Sequence, residues 1–306
     1  MGPTVEELNK VLEIKNNIKQ AIADKGVEIT DDTAFADYPS KIESIESGGG
    51  GDPYYETLFL QRTGNNTDLS GLFYNSPAKT LDLSKLNTSN VANMNNMFRY
   101  CASLTSLDVS NFDTSNATII SFMFRDCPSL TSLDVSNFNT SKVTTMESMF
   151  YNCQSLTSLD VSNFDTSKVN SIAEMFYYCK SLTSLKGLNN WNVDKVANMN
   201  NMFRYCEALT SLDVSTWNVG HITASYYFGG VFNNCNSLVD LYPPQNINAQ
   251  MDVSSSTALS HDSLMRIINN LKTTTTTKKL TLGKTNLEKL SDEEKAIATG
   301  KGWTLA

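Results

Sequence analysis

"LTSLDVSNFNTSKVTTMESMFYNCQS", residues 130–155, decides the architecture. Its first nine residues stand also at 104–112 and 156–164, and return as "LTSLDVSTW" at 209–217. A segment copied at a fixed spacing is a structural module that buries its apolar side only by stacking on its neighbours. Full copies begin at Leu81, Leu107, Leu133, Leu159, Leu185 and Leu212, at spacings of 26, 26, 26, 26 and 27 residues, and the last is stretched to 29, ending near Asp240. Upstream, "TDLSGLFYNSPAKT" (67–80) keeps the Leu72-Phe73 pair and carries Ser76 where later copies carry Cys, so it reads as a degenerate first copy.

Inside one copy the apolar period changes. Leu133 and Val135 alternate as on a short strand, which turns Ser132, Asp134 and Ser136 to the opposite face. Val143, Met146, Met149, Phe150 and Cys153 then follow at offsets of three, three, one and three, which predicts a helix or tight helical return. Ser141 and Ser167 stand just before that pattern, where a hydroxyl accepts from the first-turn amides of a helix. Strand, turn, helical return and next strand make the leucine-rich-repeat pattern. The predicted fold class is α/β: a leucine-rich-repeat solenoid at 54–240, built of short parallel strands and helical returns.

Two further segments flank the array. In "VEELNKVLEIKNNIKQAIADKGVEI", Val11, Ile14, Ile18, Ala21 and Ile22 put one apolar face on a helix that Gly26 stops, followed by Phe35, Tyr38, Ile42 and Ile45 around Pro39. This head, residues 1–47, is too small to bury much surface alone. It is either a mini-domain, a bundle-forming anchor that makes the protein a homo-oligomer, or a weakly folded helix. "SGGGGDP" makes 48–53 a flexible linker. Beyond Asp240 the period ends: "SHDSLMRIINNLK" (260–272) reads as a helix, "TTTTTKKLTLG" (273–283) as extended chain, and "SDEEKAIATGKGW" (291–303) as a capped helix. Open solenoid ends expose core, so 241–306 is expected to be an α+β C-terminal cap.

The 306 residues are 40% hydrophobic, enough for a large core, and the formal charge of −8 opposes binding to a phosphate backbone, so no nucleic acid partner is expected. No apolar run reaches membrane-spanning length, and "MGPTVEELNK" lacks the basic start and apolar core of a secretory signal, so neither membrane insertion nor visible export is expected.

The unit "LDVSNFNTSKVTTMESMFYNCQSLTS" (133–158) resembles the leucine-rich repeats of the BspA type found in bacterial surface proteins: the S-N-F-x-T-S-x-V, M-F-x-x-C and S-L-x-S-L elements recur together in register across 58–240. The resemblance implies adhesion or surface recognition rather than catalysis. Two departures are "LKGLNNWNVD" (185–194), with an inserted residue, and the absence of the exported members' signal peptide. "IKQAIADKGVEITDDTAFADYPSKIESI" (18–45) and "TLGKTNLEKLSDEEKAIATGKGWTL" (281–305) resemble the ends of tail-fibre and appendage proteins of gut bacteriophages and prophages. That likeness implies a virion location after synthesis in the host cytoplasm; the alternatives are a bacterial surface adhesin of the same repeat class, at the cell surface or extracellular, and a purely structural virion decoration protein without a ligand. The implied partners are a host-surface glycan or protein and, through the head, other virion proteins.

Six cysteines, Cys101, Cys127, Cys153, Cys179, Cys206 and Cys235, each fall three residues after the Phe of the M-F-x-x-C element. Stacked strands lie about 4.8 Å apart, but equivalent side chains point in parallel, so a column of free buried thiols is expected rather than disulfides. Free thiols fit assembly in a reducing cytoplasm. No cysteine or histidine spacing suggests a metal, and no cofactor is expected.

On the strand face, the concave side of a leucine-rich repeat, the candidate binding residues are Asp82, Ser84, Asp108, Ser110, Asp134, Ser136, Asp160, Ser162, Asp213 and Ser215, flanked by Thr80, Ser106, Ser132, Ser158 and Ser211. The fifth copy departs, presenting Ser184, Lys186 and Leu188. A column of carboxylates repels itself and attracts cations, donors on a partner or sugar hydroxyls. The same residues equally solvate the ladder and resist edge association. Tyr54, Tyr55 and "YYFGG" (226–230) interrupt the period, as binding loops or as packing against a cap. His221 and His261 are isolated, and no nucleophile elbow, P-loop, G-x-G-x-x-G or H-E-x-x-H motif occurs, so no catalytic residue is expected.

Overall fold

The computed structural model describes residues 67–84 and 86–306. The expectations for the head, for the linker and for Tyr54 and Tyr55 fall outside the described residues.

Successive copies stack in parallel. One column of bridges runs from Asp68 to Asn93, Ile119, Thr145, Ser171 and Asn198, one residue per copy. On the opposite edge lie the short strands β1 (Ser158–Asp160), β2 (Ser184–Lys186), β3 (Ser211–Asp213) and β4 (Asp240–Tyr242). β1 pairs with β2, aligning Leu159 with Leu185 and Asp160 with Lys186, and β3 pairs with β4, aligning Leu212 with Leu241 and Asp213 with Tyr242. The central Leu159, Leu212 and Leu241 are buried while the residues on either side face solvent, the alternation a strand requires.

The expected helical returns are not helices. Val143, Met146, Met149, Phe150 and Cys153 are all buried as their spacing implied, yet alternate N–H groups donate sideways to the next copy. Met146 donates to Ser171 O, Ser148 to Ala173 O, Phe150 to Met175 O and Asn152 to Tyr177 O, at 2.7–3.0 Å. The intervening groups close tight turns, Met149 N–H to Met146 O and Tyr151 N–H to Ser148 O. Left-handed backbone at Ser148 (φ 52°) and Asn152 (φ 60°) reverses the winding within each return, which no α-helix tolerates. A string of alternating turns produces the same three-and-four apolar spacing as a helix.

Ser141 and Ser167 accordingly cap nothing: their N–H groups donate to Asn139 Oδ1 and Asp165 Oδ1. The hydroxyl that matters is one residue earlier. Buried Thr114 donates to Asn139 O (3.1 Å) and accepts from Asn139 N–H (2.7 Å), and Thr140 does the same with Asp165 at 3.0 and 2.7 Å. The S-N-F asparagine is a second link, since Asn137 Nδ2 donates to Val109 O and Phe112 O, and Asn163 Nδ2 to Val135 O and Phe138 O. In the fifth and sixth copies indole N–H groups serve instead, Trp191 to Val161 O and Trp217 to Leu188 O.

The core is shared between neighbours. Phe98, Phe124, Phe150, Phe176 and Phe203 form one stack with centroids 5.5–5.7 Å apart, extended by Phe73 and Phe232. Burying each such ring contributes about 2 kcal/mol. All six cysteines are free and buried, and each thiol donates to the carbonyl of the preceding copy's Phe, as Cys153 does to Phe124 O at 3.2 Å. Burial pushes the Cys179 and Cys235 thiols up to about 12.

Parallel pairing continues beyond Asp240, where the sequence period ends. β5 (Met251–Asp252), β6 (Lys278–Thr281) and β7 (Trp303–Leu305) form a three-stranded parallel sheet, and Ile247 bridges Leu271. Helix α1 (His261–Asn270) starts at Ser260, whose side chain accepts from Ser263 N–H, and buries Leu264, Ile267 and Ile268. A short α2 (Gly283–Leu287) precedes α3 (Asp292–Gly300), which opens with a capping box of Ser291 and Glu294.

Candidate functional site

The strand face is built by Asp-x-Ser turns. In each full copy but the fifth the aspartate Oδ1 accepts from the serine N–H two residues on: Asp82 from Ser84 (3.0 Å), Asp108 from Ser110 (2.9 Å), Asp134 from Ser136 (2.9 Å), Asp160 from Ser162 (3.0 Å) and Asp213 from Ser215 (3.0 Å). These bonds end the strand and fix each carboxylate's direction. Hydrogen bonds from Ser110 hold Asp108 below the ordinary carboxylate range, and those from Ser162 do the same for Asp160. Asp134 is lowered chiefly by the Ser136 N–H, against the opposing charges of Asp108 and Asp160. Asp108, Asp134 and Asp160 are therefore ionised near neutral pH.

Between the copies that carry Asp108 and Asp134 the edge opens. No backbone hydrogen bond joins Ser106–Asp108 to Ser132–Asp134; just before them Thr131 donates to Thr105 O from its N–H (3.3 Å) and its hydroxyl (3.2 Å). An open groove of about 430 Å³ results, lined by Ser106, Asp108, Ser132, Asp134 and Ser158 over Leu107 and Leu133. The structure thus brings Asp108 and Asp134 together with three flanking serines. Ser110 and Ser136 do not line the groove; they close the turns that hold the aspartates. Asp213 and Ser215 are separated from the Asp82–Asp160 row by Lys186.

Leu188 corrects the expectation that it faces out: it is 2% exposed. The inserted residue is Gly187, at φ 92°, and a side chain there would collide with the Ser162 backbone. Gly187 turns the chain so that Leu188 takes the inward place of Val161. In "YYFGG", Tyr226 and Tyr227 are exposed and Phe228 is buried. His221 Nε2 contacts Val196 O, and His261 pairs with Glu294.

Sequence reasoning missed an aromatic edge formed by the two residues between Phe and Cys of M-F-x-x-C. The Tyr151 and Tyr177 rings stack at 4.7 Å, and Tyr178 packs against Tyr177 and Tyr205. Arg125 lies 3.9 Å over Tyr151 and Lys180 lies 4.4 Å over Tyr178. The available signal was tyrosine at both variable positions in "FYYC" (176–179). Among the described residues no three His, Cys, Asp or Glu side chains form a group able to hold a metal ion, and no helix is long and apolar enough to cross a membrane.

Parallel copies in register, an inward leucine at each strand and a shared phenylalanine stack define a leucine-rich-repeat type of protein. The chain belongs to the family described as "Mycoplasma protein of unknown function, DUF285", a BspA-like repeat family whose model matches residues 67–183 and 155–261, together well over half of the chain. No curated protein matches it significantly. Among solved structures it is similar to a leucine-rich repeat protein from Bacteroides ovatus, with 18% identity, a TM-score of 0.26 and coverage of 75% of this chain and 64% of that one. It is also similar to the functional domain of InlJ from Listeria monocytogenes, described as including a cysteine ladder, with 16% identity, a TM-score of 0.23 and coverage of 67% and 53%. The chain spans less than two thirds of either structure.

Proposed function

We propose that the protein is a non-enzymatic binding and adhesion protein whose repeat array, a solenoid closed by residues 241–306, recognises a surface through its strand face. The observation that carries this reading is the groove in which Asp108 and Asp134 stand among Ser106, Ser132 and Ser158. Ionised carboxylates beside hydroxyls offer acceptors to cationic groups and to sugar hydroxyls, and their turns hold them in place before a partner arrives, which lowers the ordering cost of binding. Each full copy but the fifth repeats the same chemistry, so weak contacts add through avidity, and an oligomerising head would multiply them further. The chain's charge of −8 argues for a partner other than nucleic acid.

Within that class we place the protein on a phage or prophage particle as a host-recognising appendage. What supports this is the resemblance of residues 18–45 and 281–305 to appendage proteins, together with the buried free thiols, which suit assembly in a reducing cytoplasm. A bacterial surface adhesin is the second reading, favoured by the family match to BspA-like repeats.

The test is attachment of the labelled full chain to a panel of intact bacterial cells, comparing wild type with Asp108→Asn/Asp134→Asn. Asparagine keeps the oxygen that accepts the serine N–H and removes the charge. Attachment is expected to fall at least tenfold at unchanged melting temperature; unaltered attachment removes the strand face as the site. Release of reducing sugar from cell envelopes would contradict the non-enzymatic reading.

A further inference from the structure

A second groove, about 310 Å³, lies along the aromatic edge and is lined by Asp126, Tyr151, Asn152, Gln154, Tyr177 and Tyr178. Its size is at the lower end of small-molecule sites, about 300 Å³ and upward.

The polar lining is a relay of amides and a carboxylate that hold one another. Arg125 Nε donates to Asp126 Oδ2 (3.3 Å), Asn152 Nδ2 to Asp126 Oδ1 (2.8 Å), and Gln154 Nε2 to Asn152 Oδ1 (2.8 Å). A primary amide carries two N–H donors, and each of these amides commits one to the relay, so the second is left for a ligand hydroxyl. Among the described residues Asp126 is the one charged residue lining the groove, and Arg125 pairs with it at 3.3 Å while also reaching Glu174 at 3.8 Å. The other lining is phenolic. Burial raises Tyr151 and Tyr177 above the ordinary tyrosine range, so their hydroxyls stay protonated and act as donor and acceptor.

At the second variable position of M-F-x-x-C the backbone does not favour tyrosine. The second variable residue of M-F-x-x-C is left-handed in all six copies: Tyr100 (φ 64°), Asp126 (61°), Asn152 (60°), Tyr178 (66°), Tyr205 (64°) and Asn234 (60°). Asp and Asn suit that conformation, whereas a bulky aromatic there is strained. Three copies use the residue the backbone prefers. Three others carry tyrosine against that preference; of these Tyr178 lines the groove, and Tyr205 packs against it at 5.0 Å. Strain retained at a surface position points to a task for the side chain.

A ligand matching this lining presents apolar C–H groups to aromatic rings and hydroxyls to amides, and is uncharged. We propose that the aromatic groove binds neutral pyranose units of a glycan, at a site separate from the strand face. The inference rests on the binding reading of the array but not on the aspartate row.

The experiment is affinity electrophoresis and calorimetry of the full chain against a panel of neutral polysaccharides: mannan, dextran, β-1,3-glucan, galactan and xylan. Three forms are compared: wild type, Tyr178→Asn/Tyr205→Asn, and Asp108→Asn/Asp134→Asn. The tyrosine variant installs residues the chain itself uses at equivalent positions, so it is expected to melt no lower than wild type. Retention of at least one polysaccharide by wild type, lost at least tenfold in the tyrosine variant and kept in the aspartate variant, is the expected result. Retention of none, or equal retention by the tyrosine variant, overturns the proposal. Loss of cell attachment in the aspartate variant without any polysaccharide binding would sink this inference while leaving the proposed function standing.

Discussion

Asp160 stands opposite Lys186 in the parallel register of β1 and β2, and the Lys186 charge adds to the Ser162 hydrogen bonds that lower the Asp160 carboxyl. The other pairing in the array sets Asp213 opposite Tyr242. In the copies where aspartate would face aspartate, at Asp108 and Asp134, the strands do not pair and the groove opens. Like charges directly opposite weaken a ladder, and Asp108 and Asp134 both line this groove.

Replacing Lys186 with Asp is therefore expected to loosen β1 from β2. The Val161 N–H, which donates to Lys186 O, reports it. Its hydrogen exchange should quicken at low salt, by an amount on the order of 0.5 kcal/mol, and recover in high salt. Unchanged exchange would show that charge does not govern pairing between β1 and β2.

Phe150 lies 5.7 Å from both Phe124 and Phe176 in the stack. Phe150→Ala is predicted to lower the unfolding free energy by about 3–5 kcal/mol in a denaturant titration. Thr140→Val leaves the Asp165 N–H and C=O, half-buried groups served by the buried Thr140 hydroxyl, without their partner and is predicted to cost about 1 kcal/mol. A smaller loss at both positions would mean that the copies do not share a core.

The thiols make a sharper test of packing. Because Cys179 and Cys235 are buried and pushed up to about 12, and the other four are equally enclosed, none should react with a thiol reagent in the folded chain at neutral pH. All six should react in denaturant without prior reduction. Fewer than six would indicate disulfides.

His261 Nε2 lies 2.9 Å from Glu294 Oε1, joining α1 to the start of α3. The Glu294 hydrogen bond raises His261 above its ordinary 6.5, so its contribution is complete below that value and is lost as pH rises through the folded pKa. Glu294 is lowered from 4.5, first by the Ser291 N–H, so its contribution holds above that value and is lost as pH falls through its folded pKa. The melting-temperature advantage of wild type over His261→Ala should peak between 4.5 and 6.5 and vanish in alkaline buffer. An advantage independent of pH would show that the pair is not ionic.

How far the sequence was legible follows from the residues. Leu133, Val135 and the recurring Phe and Cys gave the stacking, the inward face and the free thiols, because alternation and repetition report burial directly. The returns were misread because turns alternating at Ser148 and Asn152 place apolar residues at helical spacing, and serine does not announce a left-handed backbone. Leu188 was turned the wrong way because the inserted residue is Gly187, before it. The outward placement of the strand-face aspartates was legible from alternation, but the gap at Asp108 and Asp134 depends on contacts between copies. The aromatic edge escaped notice because its two positions vary from copy to copy, and only stacking brings Tyr151, Tyr177, Tyr178 and Tyr205 together.

The central claim is that each copy adds one layer in register, so that grooves and edges arise only between layers. Spin labels at Asn90, paired in turn with Lys142, Lys168 and Lys195, measure it in solution, since these residues occupy equivalent exposed positions. The account predicts distances that lengthen by about 5 Å for each added copy. Distances that do not grow with copy number would contradict it.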